Sequence, residues 1–200
     1  KGDYFQVATL GLIFMAIAIS RNWISLTRGA LGIPGIPKIF GGGIYFLIFA
    51  SLIALLSILF FFWIVNSKTG KIFQAIRDDE TAAMTLGKNT YFYKILSITI
   101  STFFAGISGF LFAHFIGYID PTLFDLGFFV LILSMLITGA VASLSGTVLG
   151  VFAILAFSEA IHFININPEI VGAFREIIYI LIVLLILIIR PKGMLGKVNV

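Results

Sequence analysis

From Ile44 to Asn66 the chain reads IYFLIFASLIALLSILFFFWIVN, without one charged residue. A helix needs roughly 20 predominantly apolar residues to cross a hydrocarbon core about 30 Å thick, and this run has that length. In lipid a helix satisfies its own backbone polar groups and its apolar side chains face a matching solvent. Composition extends the argument to the whole chain. Sixty per cent of its 200 residues are hydrophobic and 11% charged, against about 45–50% and about 25% in ordinary globular domains. A soluble protein of this composition has too little polar surface to cover itself. The expected fold is therefore all-α, a polytopic α-helical membrane protein forming one domain over residues 1–200.

Five further crossings are expected around that run. Tyr4 to Ser20 is a short candidate between Asp3 and Arg21, and Ile95 to Tyr118 is a span rich in small residues. The 38-residue apolar stretch from Gly127 to Ile164 is too long for one crossing. The run ASLSG at 142–146 divides it into helices of about 128–141 and 147–163. Ile177 to Ile189 is the last span. Residues 21–43 are rich in Gly and Pro, which disfavours a central helix there.

Six crossings alternate sides, so charge can orient them. With residues 67–94 inside, nine of the thirteen Lys and Arg residues lie on that side, and Arg21, Arg28, Lys38 and Arg175 lie opposite. The bias places this loop and the C-terminus in the cytoplasm. It also accounts for the net charge of +4 without nucleic acid. The absence of cysteine excludes disulfides, thiolate metal sites and cysteine nucleophiles.

The inner loop reads SKTGKIFQAIRDDETAAMTLGKNTYFYK. Ile72, Phe73, Ile76 and Ala83 fall at helical spacing, with Arg77, Asp78 and Asp79 on the other side. Gly87 stands where a helix C-terminus favours a left-handed residue. The pattern predicts a short amphipathic helix over about 71–86. Its apolar edge is small and its acids repel anionic lipid, so docking into a protein groove suits it better than lying on a membrane.

The string GKIFQAIRDDETAAMTLG closely resembles the loop of Liv-type branched-chain amino acid permeases, in particular the LivM-like subunit. In that family it is a form of the coupling loop, a helix that seats in a cleft of the ATPase. The resemblance implies that Arg77, Asp78, Asp79, Glu80, Ala82, Ala83 and Gly87 form the ATPase-coupling contact, within a coupling loop of residues 67–94. Thr81 separates Glu80 from the two alanines, unlike the general importer motif. Further blocks, GDYFQVATLG, NWISLTRGALGIPGIP, YKILSITISTFFAGISGFLFAHFIGYIDP, TGAVASLSGTVLG and RPKGMLG, resemble the family in its own order. The family has additional spans ahead of the first block, so the resemblance implies the C-terminal portion of such a permease.

What the resemblance implies is a permease subunit of an ABC importer in the bacterial or archaeal inner membrane, forming a pathway for leucine, isoleucine and valine. Its expected partners are ABC ATPase subunits, a second homologous permease subunit, a periplasmic or extracellular solute-binding protein and membrane lipid. ATP-Mg is expected on the ATPase. In this chain Lys88 and Asn89 after Gly87 imitate a P-loop's end, but Ala82 replaces its leading glycine and Asn89 its hydroxyl residue. A urea or amide importer permease is the alternative within the class.

Several intramembrane residues are candidates for the pathway or for helix packing. Gly106 and Gly109 belong to a set of small residues that lets helices approach closely. Gly139, Ser143 and Gly146 flank the 142–146 break, which is either an intramembrane discontinuity or a turn at the cytoplasmic surface. His114 either bonds within the bundle or touches substrate. Glu159 and His162 share a helix face at ExxH spacing, and a charge there is costly unless it faces the bundle interior, a partner or water. A dimetal site would need a second ExxH, and the only other histidine is His114. An intramembrane enzyme using His114, Glu159 and His162 is the alternative of another class. No catalytic, cofactor or metal residue is expected.

Overall fold

The computed structural model describes residues 3–41, 43–124, 126–139 and 143–162, with Ile177, Ile178, Ile180, Leu181, Leu184 and Ile188 beyond them. The chain is all-α, with eight α-helices among the described residues. It divides into two compact units, Ser25–Asp120 and Lys1–Ile24 with Pro121–Val200.

In the first unit the uncharged run forms α3, Ile44–Asn66. Helix α4, Lys68–Asp78, and α5, Glu80–Thr85, follow it. Helix α6, Thr90–Ile116, returns. Both α3 and α6 are long and apolar enough to cross a membrane. Their outer faces carry side chains such as Leu55, Trp63 and Phe103, all more than half exposed. Apolar surface on that scale is stable against lipid and would not be in water. The two helices meet through aromatic rings. Phe46 stacks on Phe115 with centroids 6.0 Å apart, and Phe104 packs on Phe60 and Phe61 at 5.2 and 4.7 Å. These contacts make the pair antiparallel.

Helix α6 starts five residues before the expected span. Asn89 caps it, its side-chain oxygen accepting from Phe92 N–H at 3.1 Å, so the chain is helical before it becomes apolar. The helix ends at Gly117, whose φ of 78° permits the left-handed turn.

The Gly- and Pro-rich segment holds short pieces: α2, Ile24–Thr27, 3-10 turns at Gly29–Leu31 and Ile39–Gly41, and the strand β1, Ile33–Pro34. This strand pairs antiparallel with β2, Tyr118–Ile119, in the register Ile33 to Ile119 and Pro34 to Tyr118. Tyr118 Oη donates to Leu31 O at 3.1 Å and Ile36 N–H to Gly117 O at 3.1 Å. The segment is thereby stitched to the end of α6. A two-residue ribbon in an all-helical chain shows no periodicity, and the sequence pattern does not predict it.

In the second unit α1 covers Asp3–Asn22, slightly longer than the expected 4–20. Helix α7, Leu126–Gly139, and α8, Leu144–His162, form a tightly packed pair. Ser134, Thr138 and Ile154 are almost fully buried there. The division expected at 142–146 falls earlier. Ser143 is the N-cap of α8, its hydroxyl accepting from Gly146 N–H at 3.2 Å, and 144–146 already form the first turn. A serine after an apolar run caps a helix more readily than it interrupts one. Residues 140–142 lie outside the described residues, as does most of the last expected span. At 14 residues α7 is about 21 Å long, short of a full crossing.

Candidate functional site

Two features of the first unit bear on function: the α4–α5 segment, and a cavity between α3 and α6.

The segment is two helices, not the single one expected over 71–86. Asp79 divides them with an extended backbone, φ −153° and ψ 107°. Its Oδ1 accepts from Thr81 N–H and Thr81 Oγ1, both at 2.8 Å, and from Ala82 N–H at 3.0 Å. An aspartate that can satisfy the free donors of a new helix competes with continuation of the old one. Asp79 is thus an internal cap. These bonds, led by that from Ala82 N–H and then the Thr81 hydroxyl, hold its carboxyl below the ordinary aspartate value. A depressed folded pKa stabilises α5 fully above the unfolded value of about 4 and loses that effect as pH falls through the lower folded value. Amide protection at Thr81 and Ala82, corrected for intrinsic exchange, should therefore hold from pH 7 to about pH 4 and drop below it. In Asp79→Ala it should be weak throughout. Protection unchanged in that variant would refute the capping role.

The segment is anchored at both ends. Ser67 caps α4, accepting from Gly70 N–H at 3.3 Å. Gly70 is buried, and a Cβ there would collide with the carbonyls of Ile64 and Val65 at the end of α3. At the other end Glu80 pairs with Lys94 Nζ and receives the Thr90 hydroxyl at 3.4 Å. Ala83 is 1% exposed, and Phe73 meets Tyr93 edge-on at 6.0 Å. Gly87, φ 73°, closes α5, its N–H donating to Met84 O at 2.9 Å while Lys88 N–H donates to Ala83 O at 3.2 Å.

The predicted coupling residues therefore separate. Asp79, Glu80 and Ala83 are engaged within the chain, and Gly87 shapes the turn. Arg77, Asp78 and Ala82 point outward, the first two as an exposed ion pair at 2.8 Å. Gly70 is the first residue of the matched string GKIFQAIRDDETAAMTLG, but Thr90 and Lys94 are not among the residues the motif marks. Lys94 reaches Glu80 only because Gly87 reverses the chain, a relation no helical spacing signals.

The cavity has a volume of about 680 Å³ and lies between Phe46–Ala54 on α3 and Ser108–Phe115 on α6, with Lys38 at its rim. The hydroxyls of Ser51 and Ser108 donate to Ile48 O and Ala105 O in their own helices, each at 2.9 Å. His114 Nδ1 lies 2.9 Å from Phe110 O. A carbonyl only accepts, so Nδ1 carries the proton of this bond.

The other candidates fall elsewhere. Among the described residues Gly106 and Gly109 have nothing within 4 Å of an added Cβ, so they face away from the packing within their unit. Gly139 and Gly146 are the crossing point of α7 and α8: a Cβ on Gly139 would meet Gly146 C at 2.7 Å and Thr147 Cα at 2.8 Å. Gly150, not anticipated, belongs to the same crossing. Beside it the buried Thr138 hydroxyl has no partner among the described residues. Glu159 is exposed on α8, and the His162 side chain lies outside the described residues.

Long apolar helices joined by a short capped-helix segment define a multi-pass α-helical membrane protein. More particularly, the chain belongs to the family described as the permease component of the branched-chain amino acid transport system, which matches residues 1–189. It is similar to the high-affinity branched-chain amino acid transport system permease protein LivM of Escherichia coli K12, 26% identical over 98% of this chain and 51% of that protein. The LivM protein of Salmonella typhimurium gives the same figures. LivH of Escherichia coli K12 is 25% identical over 97% of this chain and 65% of that protein. The chain thus spans about half the length of the LivM relatives it matches. No solved structure matches it.

Proposed function

We propose that this chain forms part of the translocation pathway of an ABC importer for leucine, isoleucine and valine, as one permease subunit driven by a separate ATPase. The family match over residues 1–189 carries the reading. Supporting it is the build of residues 67–94 as one permease domain's coupling element. Arg77, Asp78 and Ala82 are free to meet an ATPase, while Gly70 ties the element to α3 and Glu80 to α6. A force on the outward face then reaches both spans.

In this reading ATP-Mg resides on the ATPase, and a solute-binding protein delivers substrate from outside. A second permease subunit packs on small residues such as Gly106 and Gly109, where close helix approach is cheap. The protein resides in the inner membrane with residues 67–94 and the C-terminus in the cytoplasm, following the distribution of its basic residues. It is a transport subunit and not an enzyme.

The test is uptake by the intact protein reconstituted with its ATPase, second permease subunit and binding protein. Radiolabelled leucine should accumulate only with ATP, and excess isoleucine or valine should compete while excess urea does not. Urea accumulation would move the assignment to the amide branch. Absence of ATP-dependent uptake of either solute would sink the proposal.

A further inference from the structure

The cavity between α3 and α6 has a chemistry unsuited to a free amino acid. A zwitterion brings an ammonium group, and no carboxylate is among the described residues that line the cavity. The hydroxyls of Ser51 and Ser108 are spent on their own helices, and His114 Nδ1 on Phe110 O. Beside the other edge of the His114 ring, what remains among the described lining residues is an apolar trough with one lysine, Lys38, at its rim. Lys38 is exposed and makes no ion pair among the described residues.

The trough's depth is informative. From Gly43, beside the rim, to Ala54 at its far lining residue is eleven helical steps, about 16 Å at 1.5 Å per residue. That is about half of a 30 Å hydrocarbon core, the depth of one leaflet. The aromatic cluster of Phe60, Phe61 and Phe104 lies beyond it. Phe46 and Phe115 stack near the rim end, and both line the space.

We infer that this cavity binds an anionic phospholipid, one acyl chain lying between α3 and α6 and the phosphate meeting Lys38. Charge and depth select this occupant together. A cationic ammonium stem snorkels readily to the headgroup level, and Lys38 sits where that level meets the start of α3. A zwitterionic lipid fits the trough equally but gains less from the lysine. The inference does not depend on the transport proposal, because it needs only a membrane and these two spans.

Native mass spectrometry of the intact protein tests it. The protein is equilibrated in mixed micelles of phosphatidylglycerol and phosphatidylethanolamine with matched acyl chains. The wild-type protein should retain one phosphatidylglycerol in preference to phosphatidylethanolamine. Lys38→Gln, an exposed loop change that leaves the fold intact, should reduce that preference about fivefold, the effect of one basic residue near an anionic surface. Ala54→Phe should lower retention of both lipids by filling the trough. Equal preference in wild type and Lys38→Gln would overturn the inference. So would undiminished retention in a monodisperse Ala54→Phe protein, displacement of the lipid by leucine, or no retained lipid in the wild type because another protein segment fills the trough.

Discussion

Replacing Gly150 with valine is expected to separate α7 from α8 and to lower the thermal midpoint of the protein by on the order of 10 °C. A Cβ at this position would lie 2.5 Å from both Cα and N of Gly139 and would also strike Met135 O. These are backbone atoms, so no rotamer change relieves the overlap. The helices must part along the face that buries Ser134, Thr138 and Ile154. Overpacking of this kind typically costs 1–3 kcal/mol and rises when backbone is the obstacle; about 3 kcal/mol is expected here. Gly106→Ala and Gly109→Ala supply the contrast, because an added Cβ finds nothing within 4 Å at either site. In isolation those changes gain up to about 1 kcal/mol of helix propensity. Fluorescence-detected size-exclusion chromatography after graded heating measures all three. A Gly150→Val protein as heat-resistant as Gly106→Ala would show that the helices do not cross so closely.

The second large effect is expected at Gly70, where the chain turns from α3 into α4. A valine there would collide with Ile64 O and Val65 O and come within 2.7 Å of Val65 C. Helix α4 must lift off the end of α3, at about 2 kcal/mol or more, and the segment then swings on its remaining attachment to α6. The expected result is normal insertion, faster amide exchange across Lys68–Thr85, and ATP-dependent leucine uptake reduced about tenfold or more. Ser67→Ala removes only the N-cap, about 1 kcal/mol, and should show a milder form of the same phenotype. Unimpaired uptake in Gly70→Val would mean that the corner plays no part in transmission.

These two glycines also mark what the sequence makes legible. Helix α3 needs only its uncharged run, because in lipid hydropathy and length suffice. The coupling segment is legible as a motif but not as two helices. The triplet Asp78-Asp79-Glu80 offers three acids, and which one becomes a cap depends on where α5 can pack Ala83. The triplet's other members take unlike roles, Asp78 facing outward with Arg77 and Glu80 turning inward to Lys94. The run ASLSG illustrates the same difficulty, since a capping serine and a helix-breaking serine look alike before tertiary contacts choose. The cavity left only a faint trace: the small residues Ala50, Ser51 and Ala54 on one span and Ser108 on the other. Small residues in a membrane helix equally signal close packing, so only the paired helices distinguish a gap from a contact.

The ribbon of Ile33–Pro34 with Tyr118–Ile119 has a consequence for biogenesis. Its first strand leaves the ribosome long before its second, and the two transmembrane helices α3 and α6 lie between them. The pairing cannot exist until α6 has been made and its far end brought beside residue 33. Closing so long a loop is entropically affordable only because the antiparallel helices have already drawn its ends together. The ribbon is therefore a late fastening in the assembly of the first unit, and Tyr118, through its bond to Leu31 O, is the residue that ties it.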